Sequence, residues 1–189
     1  MGLETVHRKY ENCTRCPLHQ RRTHIVMGEG NPRSPLMFVG EGPGADEDRQ
    51  GRPFVGKAGQ LLNRILEAAE IPRQDVFITN IVKCRPPGNR TPTEEEMGTC
   101  ITILREQFVM IRPRLIVTLG SAPTRALIDP EARITRVRGQ WFERKGVRMM
   151  PTFHPAYLLR NPAGKRDAWA DFQAIRDAYR EVLSETGGP

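Results

Sequence analysis

The sequence predicts an α/β fold in which a parallel sheet of four buried strands is covered by helices on both faces. Three observations carry this. Short runs of β-forming apolar residues recur along the 189 residues. Segments of helical period alternate with them, which favours parallel strands with helical crossovers. The runs end at glycine, asparagine or histidine, the places where an open sheet of this kind binds its ligand.

The strand runs are LMFVG (36–40), DVFITNIV (75–82), LIVTLG (115–120) and RMMPTF (148–153), each closed by polar or turn residues. Helical period appears at 57–70, 91–112, 121–128 and 167–185. Thr93 and Glu96 have the spacing of a capping box, which places the start of the second helix there. RVRGQWFERKGVRM (136–149) breaks the alternation and reads as a hairpin. No repeat, linker or low-complexity segment is visible, so residues 1–189 are expected to form one domain. The segments after the strand ends are then GEGPGADEDRQGRPFVG (40–56), Asn80, GSAPTRAL (120–127) and FHPAYLLR (153–160).

The formal charge is +7, with arginine supplying most of the 29 basic residues. Arginine is the better bidentate binder of phosphate, so a polyanionic partner fits, but an arginine-rich genome or a hot habitat produces the same surface. Charge alone does not decide between them. There is no apolar run long enough for a membrane span and no secretory leader, so a soluble intracellular protein without a membrane partner is expected. In a reducing compartment the four cysteines, Cys13, Cys16, Cys84 and Cys100, are poor disulfide candidates. The C-x-x-C spacing of Cys13 and Cys16 suits a metal clamp or a redox dithiol, and four thiolates complete one metal shell. Zinc and an iron–sulfur cluster both accept four cysteines, and ligand type does not separate them.

The glycine-rich turn at 40–44 lets a ligand approach the backbone, but it is neither a P-loop nor a dinucleotide fingerprint, and alone it reads as an ordinary loop. His154 precedes a proline, which disfavours helical geometry at the histidine. A lone histidine is more often structural. The sequel PAYLLR, read as a loop, sets two leucines beside an arginine: an apolar wedge next to a phosphate binder, as a protein that parts stacked bases requires. Asn80, in an apolar strand, would be a costly buried amide unless a base edge or a backbone group pairs with it.

GEGPGADEDRQGRPFVGKAGQLL, ITNIVKCRPPGNRTP and HPAYLLR, in this order and with the four cysteines, resemble the family 4 uracil-DNA glycosylases, the iron–sulfur branch of the uracil-DNA glycosylase superfamily. The resemblance runs from Cys13 to Arg160. It implies a three-layer α/β/α sandwich around a four-stranded parallel sheet, and a 4Fe–4S cluster on Cys13, Cys16, Cys84 and Cys100. It also implies a monofunctional glycosylase that flips uracil out of DNA and hydrolyses its N-glycosidic bond, opening base-excision repair.

By the same resemblance, Phe54 stacks on the extruded base, Asn80 pairs with its N3–H and O4, and the backbone of Gly42 and Pro43 lines the pocket. Glu47 crowds C5. His154 donates to O2, and Glu41 positions water or offsets positive charge on the sugar. Leu158 and Leu159 form the wedge, and Arg160, Arg85 and Arg90 meet the DNA backbone. A monomer in the cytoplasm, at the nucleoid of a prokaryote, is expected. A related branch traps uracil DNA covalently through a histidine in an inserted loop. This chain has no histidine between His24 and His154, which argues against that chemistry. A non-catalytic metal-bearing nucleic-acid binder would explain the charge and the cysteines but leave Glu41, Phe54, Asn80 and His154 without a purpose.

Overall fold

All four apolar runs become strands in the computed structural model, which describes residues 2–187. In chain order the elements are α1 (Leu3–Tyr10), β1 (Glu29–Gly30), β2 (Leu36–Gly40), α2 (Ala45–Gln50), α3 (Lys57–Ala68) and β3 (Phe77–Asn80). They continue with α4 (Glu94–Ile111), β4 (Leu115–Leu119), α5 (Ser121–Leu127), α6 (Ile134–Val137) and β5 (Phe142–Arg144). The last are β6 (Val147–Thr152), α7 (Pro155–Arg160) and α8 (Lys165–Glu185). Among the described residues no helix is long and apolar enough to cross a membrane.

The sheet has six strands in the order β1-β3-β2-β4-β6-β5, which corrects the expected four-stranded parallel sheet. The four expected strands form its parallel centre. The two additions are antiparallel edges, β1 on β3 and β5 on β6. Their sequences hide them: β1 is the two residues Glu29 and Gly30, and β5 exposes Glu143 and Arg144, so neither carries an apolar run. Short, charged edges of this kind discourage pairing with another chain.

The central strands LMFVG, FITN and LIVTL are buried throughout because both sheet faces are covered. Their side chains alternate between two cores. Leu36, Phe38, Ile78, Val117 and Met150 pack with Leu62 and Leu66 of α3 and Phe172 and Ile175 of α8. Met37, Val39, Phe77, Ile116 and Met149 pack on the other face with Val6 and Tyr10 of α1 and Ile103 and Leu104 of α4. The expected capping box starts α4: Thr93 accepts from the Glu96 N–H and Glu96 accepts from the Thr93 N–H. β3 is shorter than its run, because Arg73–Asp75 forms a 3₁₀ turn ahead of it. The expected hairpin at 136–149 is β5–β6, entered through α6.

The chain passes from β2 to β3 on one side and then crosses β2 to reach β4 on the other. The order therefore reverses at β2, and the crevice of an open α/β sheet lies at the carboxyl end of such a strand. Gly40 and Asn80 stand side by side there, with Glu41 next in the chain.

Candidate active site

A cleft of about 610 Å³ opens at this point and brings together Glu41, Gly42, Pro43, Glu47, Phe54, Asn80, His154 and Arg160, with Arg90 at its rim. It is assembled from the ends of β2 and β3 and from the turn after β6. Two glycines make room for it. A Cβ on Gly40 would lie 2.4 Å from Asn80 Oδ1 and 2.6 Å from Phe54 Cζ. Gly42 is closed against Val82 in the same way, at 2.7 Å.

Asn80 is buried, and among the described residues its Oδ1 has no hydrogen-bond partner. Leaving a buried acceptor unpaired costs about 1–3 kcal/mol. Phe54 lies beside His154, with ring centroids 5.5 Å apart and planes tilted by 31°. His154 is the N-cap of α7: its Nδ1 accepts the Ala156 N–H at 3.0 Å. That bond assigns the ring proton to Nε2, which has no partner among the described residues and serves as a donor. Burial, with a smaller contribution from Arg160, pushes the imidazole down to about 4, so it is neutral at physiological pH. Burial pushes the Glu41 carboxyl above its ordinary value, and among the described residues it makes no hydrogen bond or ion pair.

Glu47 reaches the cleft wall but is already engaged. Its Oε1 accepts the N–H groups of Val55 (3.1 Å) and Gly56 (3.0 Å), tying α2 to the Phe54 loop. PAYLLR is not a loop but helix α7, with Pro155 in its first turn, where a missing N–H is harmless. This splits the expected wedge. Leu158 is 0% exposed, packed with Leu61, Phe153 and Ala168, and has no surface to offer DNA. Leu159 is 41% exposed and projects from the same helix as Arg160. Arg85 Nε donates to Asn89 Oδ1 at 2.7 Å, and Arg90 forms a two-pronged pair with buried Glu96 at 2.8 Å for each prong. Arg90 thus joins its loop to α4 as well as facing the cleft.

The four cysteines line one small cavity with Arg22, Lys83 and Ile103, at the edge of the α1/α4 core. The Lys83 N–H donates to Cys100 Sγ and the Arg22 guanidinium to Cys84 Sγ, each at 3.3 Å. Burial pushes the Cys84 thiol up to about 11 and also raises Cys16 and Cys100. Such thiols ionise only with a cation to answer them. Among the described residues no three His, Cys, Asp or Glu side chains draw together into a site for a metal ion.

Sequence reasoning missed Arg73, which binds the backbone of the Phe54 loop from 19 residues away. It carries no local motif, and only the tertiary fold reveals it.

An open α/β sheet with a cleft of polar and aromatic residues at its switch point is the architecture of a ligand-binding α/β protein. A family model of the uracil DNA glycosylase superfamily matches residues 27–173. The chain is 50% identical over 163 residues to a type-4 uracil-DNA glycosylase of Thermotoga maritima, covering 84% of each protein. It is 44% identical over 185 residues to that of Sulfurisphaera tokodaii (93% of this chain, 84% of the relative). It is 44% identical over 171 residues to that of Pyrobaculum aerophilum (86% and 87%). The chain belongs to the uracil-DNA glycosylase superfamily, among its type-4 members.

Proposed function

We propose that this chain is a monofunctional uracil-DNA glycosylase: it extrudes uracil from DNA and hydrolyses the N-glycosidic bond, leaving an abasic site for base-excision repair. The observation that carries this reading is the unpartnered, buried Oδ1 of Asn80 in a cleft it shares with an aromatic ring and a neutral imidazole. A uracil edge completes it: N3–H donates to Oδ1 and O4 accepts from the side-chain amide N–H.

In this mechanism Leu159 enters the stack as the base leaves it, at a cost of a few kcal/mol, and Arg160, with Arg85 and Arg90, meets the DNA backbone. Phe54 stacks on the extruded ring, with Gly42 and Pro43 lining the wall beside it. Glu47 contributes by holding the Phe54 loop and by narrowing the space near C5. As the bond breaks, negative charge gathers on uracil O2 and positive charge on the sugar. His154 Nε2–H donates to O2, a hydrogen bond that strengthens in the transition state. Glu41, as the carboxylate, orients the attacking water or offsets the sugar's charge.

The four cysteines fit a 4Fe–4S cluster. They are all thiols around one cavity and two of them accept N–H donors; zinc takes the same ligand set, and it is the likeness to the type-4 glycosylases that favours iron. When bound, the group serves as a cross-link holding residues 13–22 and 83–100 together. We further read the protein as a single-domain cytoplasmic monomer acting at the nucleoid. Incubation with an oligonucleotide bearing one uracil tests the activity. Release of free uracil and an alkali-labile site are expected, and binding without release would refute the reading.

A further inference from the structure

Phe54 has a backbone φ of 50°, a left-handed conformation that a bulky aromatic residue adopts only when its surroundings impose it. The neighbouring helix is shaped to permit it. A Cβ on Gly59 would lie 2.0 Å from the Phe54 carbonyl carbon and oxygen. Two opposite charges then hold the loop. Glu47 takes the N–H groups of Val55 and Gly56. On the other side Arg73 donates from Nη1 to the Phe54 carbonyl at 3.0 Å and from Nη2 to the Pro53 carbonyl at 2.6 Å.

The Arg73 guanidinium is itself fixed. It donates to Asn63 Oδ1 of α3 at 2.7 Å and to Glu29 Oε1 of the edge strand β1 at 2.9 Å. Glu29 also accepts two hydrogen bonds from Arg52, within the same loop, at 2.8 and 3.1 Å. Burial pushes the Glu29 carboxyl up, but the bonds from Arg52 and Arg73 outweigh it and hold the carboxyl below its ordinary value. A two-residue edge strand with no core of its own thereby supplies the anchor.

We propose that Arg73, backed by Glu29, is a positioning residue for uracil recognition: it grips two consecutive carbonyls and so sets the Phe54 ring at the height where an extruded base stacks. Arg73 does not line the cleft, so in this proposal it acts on the base through Phe54. The inference rests on the glycosylase reading above. Arginine suits the task because one planar fork reaches both carbonyls, whereas lysine offers a single point charge.

The test measures Arg73→Met and Arg73→Lys in the wild-type and Phe54→Ala backgrounds, by three readouts. These are the single-turnover cleavage rate at saturating enzyme, inhibition by free uracil, and affinity for DNA carrying a non-cleavable abasic-site analogue. Arg73→Met should slow cleavage roughly ten- to a hundredfold, the loss that misplacing a positioning group brings. It should weaken inhibition by uracil in parallel and leave affinity for the abasic analogue unchanged. Arg73→Lys should fall between, and it decides the matter if Arg73→Met does not fold. In the Phe54→Ala background either substitution should change the rate by less than about twofold, as for two residues acting through one contact. Undiminished cleavage by both variants, or a full further loss without Phe54, would overturn the proposal. A wild-type protein that releases no uracil would instead refute the glycosylase reading.

Discussion

Asn80, the last residue of β3, and Lys83, three residues beyond it, are both buried and are treated oppositely. Lys83 Nζ donates to Thr79 Oγ1 at 2.6 Å and to the Asn80 carbonyl at 2.7 Å, burial pushing the amine down to about 7, while its backbone N–H serves Cys100. Asn80 Oδ1 has no partner among the described residues. The contrast extends outward. Near the cysteines, buried Glu96 is answered by Arg90 and by the Thr93 N–H. In the cleft, Glu41 is unanswered, and Phe54 is held in an unfavourable backbone conformation. The cysteine region pairs most of its buried polar groups within the protein, Gln107 Oε1 further along α4 being an exception, whereas the cleft leaves Asn80 and Glu41 for a ligand. The cysteine region should therefore govern stability and the cleft activity, and substitutions should separate the two.

The largest effect is expected on the cysteine side. Structural metal centres can contribute on the order of 10 kcal/mol of folding energy, as much as a typical domain's whole stability of about 5–15 kcal/mol. Cys84→Ser should lose bound iron, visible iron–sulfur absorption and solubility together. In any soluble fraction, amide exchange should accelerate at residues 13–25 and 83–104 before it does in α3 and α8. A colourless, iron-free Cys84→Ser protein with unchanged melting temperature would erase the distinction between the two regions.

Next comes His154→Ala, which should reduce the cleavage rate by about 10²–10³, the usual cost of removing one transition-state donor, with little change in DNA affinity. Equal losses in binding and rate would make His154 a positioning group. Its titration gives a second check. The folded value of about 4 lies below the ordinary 6.5, so the neutral ring favours the fold above pH 6.5, and that stability is lost as pH falls toward 4. His154→Ala should therefore flatten the acid side of the stability profile.

Asn80→Asp sharpens the comparison at its centre. The substitution removes the donor toward uracil O4 and supplies an acceptor that suits the cytosine N4 hydrogens. With about 1–3 kcal/mol for each mispaired buried group, most uracil excision should be lost, and slow cytosine release from mismatches should appear. Near-normal uracil cleavage by Asn80→Asp at neutral pH would show that this amide does not read the base.

The same contrast explains what the sequence revealed. Strands such as LMFVG and helices such as 57–70 are written in local apolar period, and the Thr93–Glu96 cap lies within four residues, so all were legible. The cleft residues were legible because glycine, asparagine and histidine interrupt apolar runs, and their roles came from the family resemblance. The edge strands were not, since Glu29–Gly30 pairs with β3 through backbone alone. PAYLLR misled because its two adjacent leucines look equivalent until a helix turns one inward and the other out. Arg73 was invisible because its partners at 29, 53, 54 and 63 meet only in the folded chain.

The smallest expected effect has the sign most particular to the cleft, and it concerns Glu41. Burial without a partner raises its folded pKa above the unfolded value. A carboxyl shifted in that direction contributes stability below its unfolded pKa and loses it as pH rises through the folded value. At neutral pH the Glu41 carboxylate is thus a net burden on the fold. Glu41→Gln keeps the shape and removes the charge, so it should raise the melting temperature at pH 7, at about 2–4 °C for each ~1 kcal/mol relieved in a domain of this size. The gain should shrink toward zero as pH drops below 4.5, where both side chains are neutral. Cleavage should fall in the same variant, because the uncharged amide no longer offsets the sugar's developing charge or orients water. With Glu41 acting as the carboxylate, wild-type cleavage should fall on the acid side as that group protonates, and this fall should be absent in the variant. A Glu41→Gln protein less stable than wild type at pH 7 would mean that the carboxylate has a partner in the fold, and the cleft would then differ less from the cysteine region than its geometry indicates.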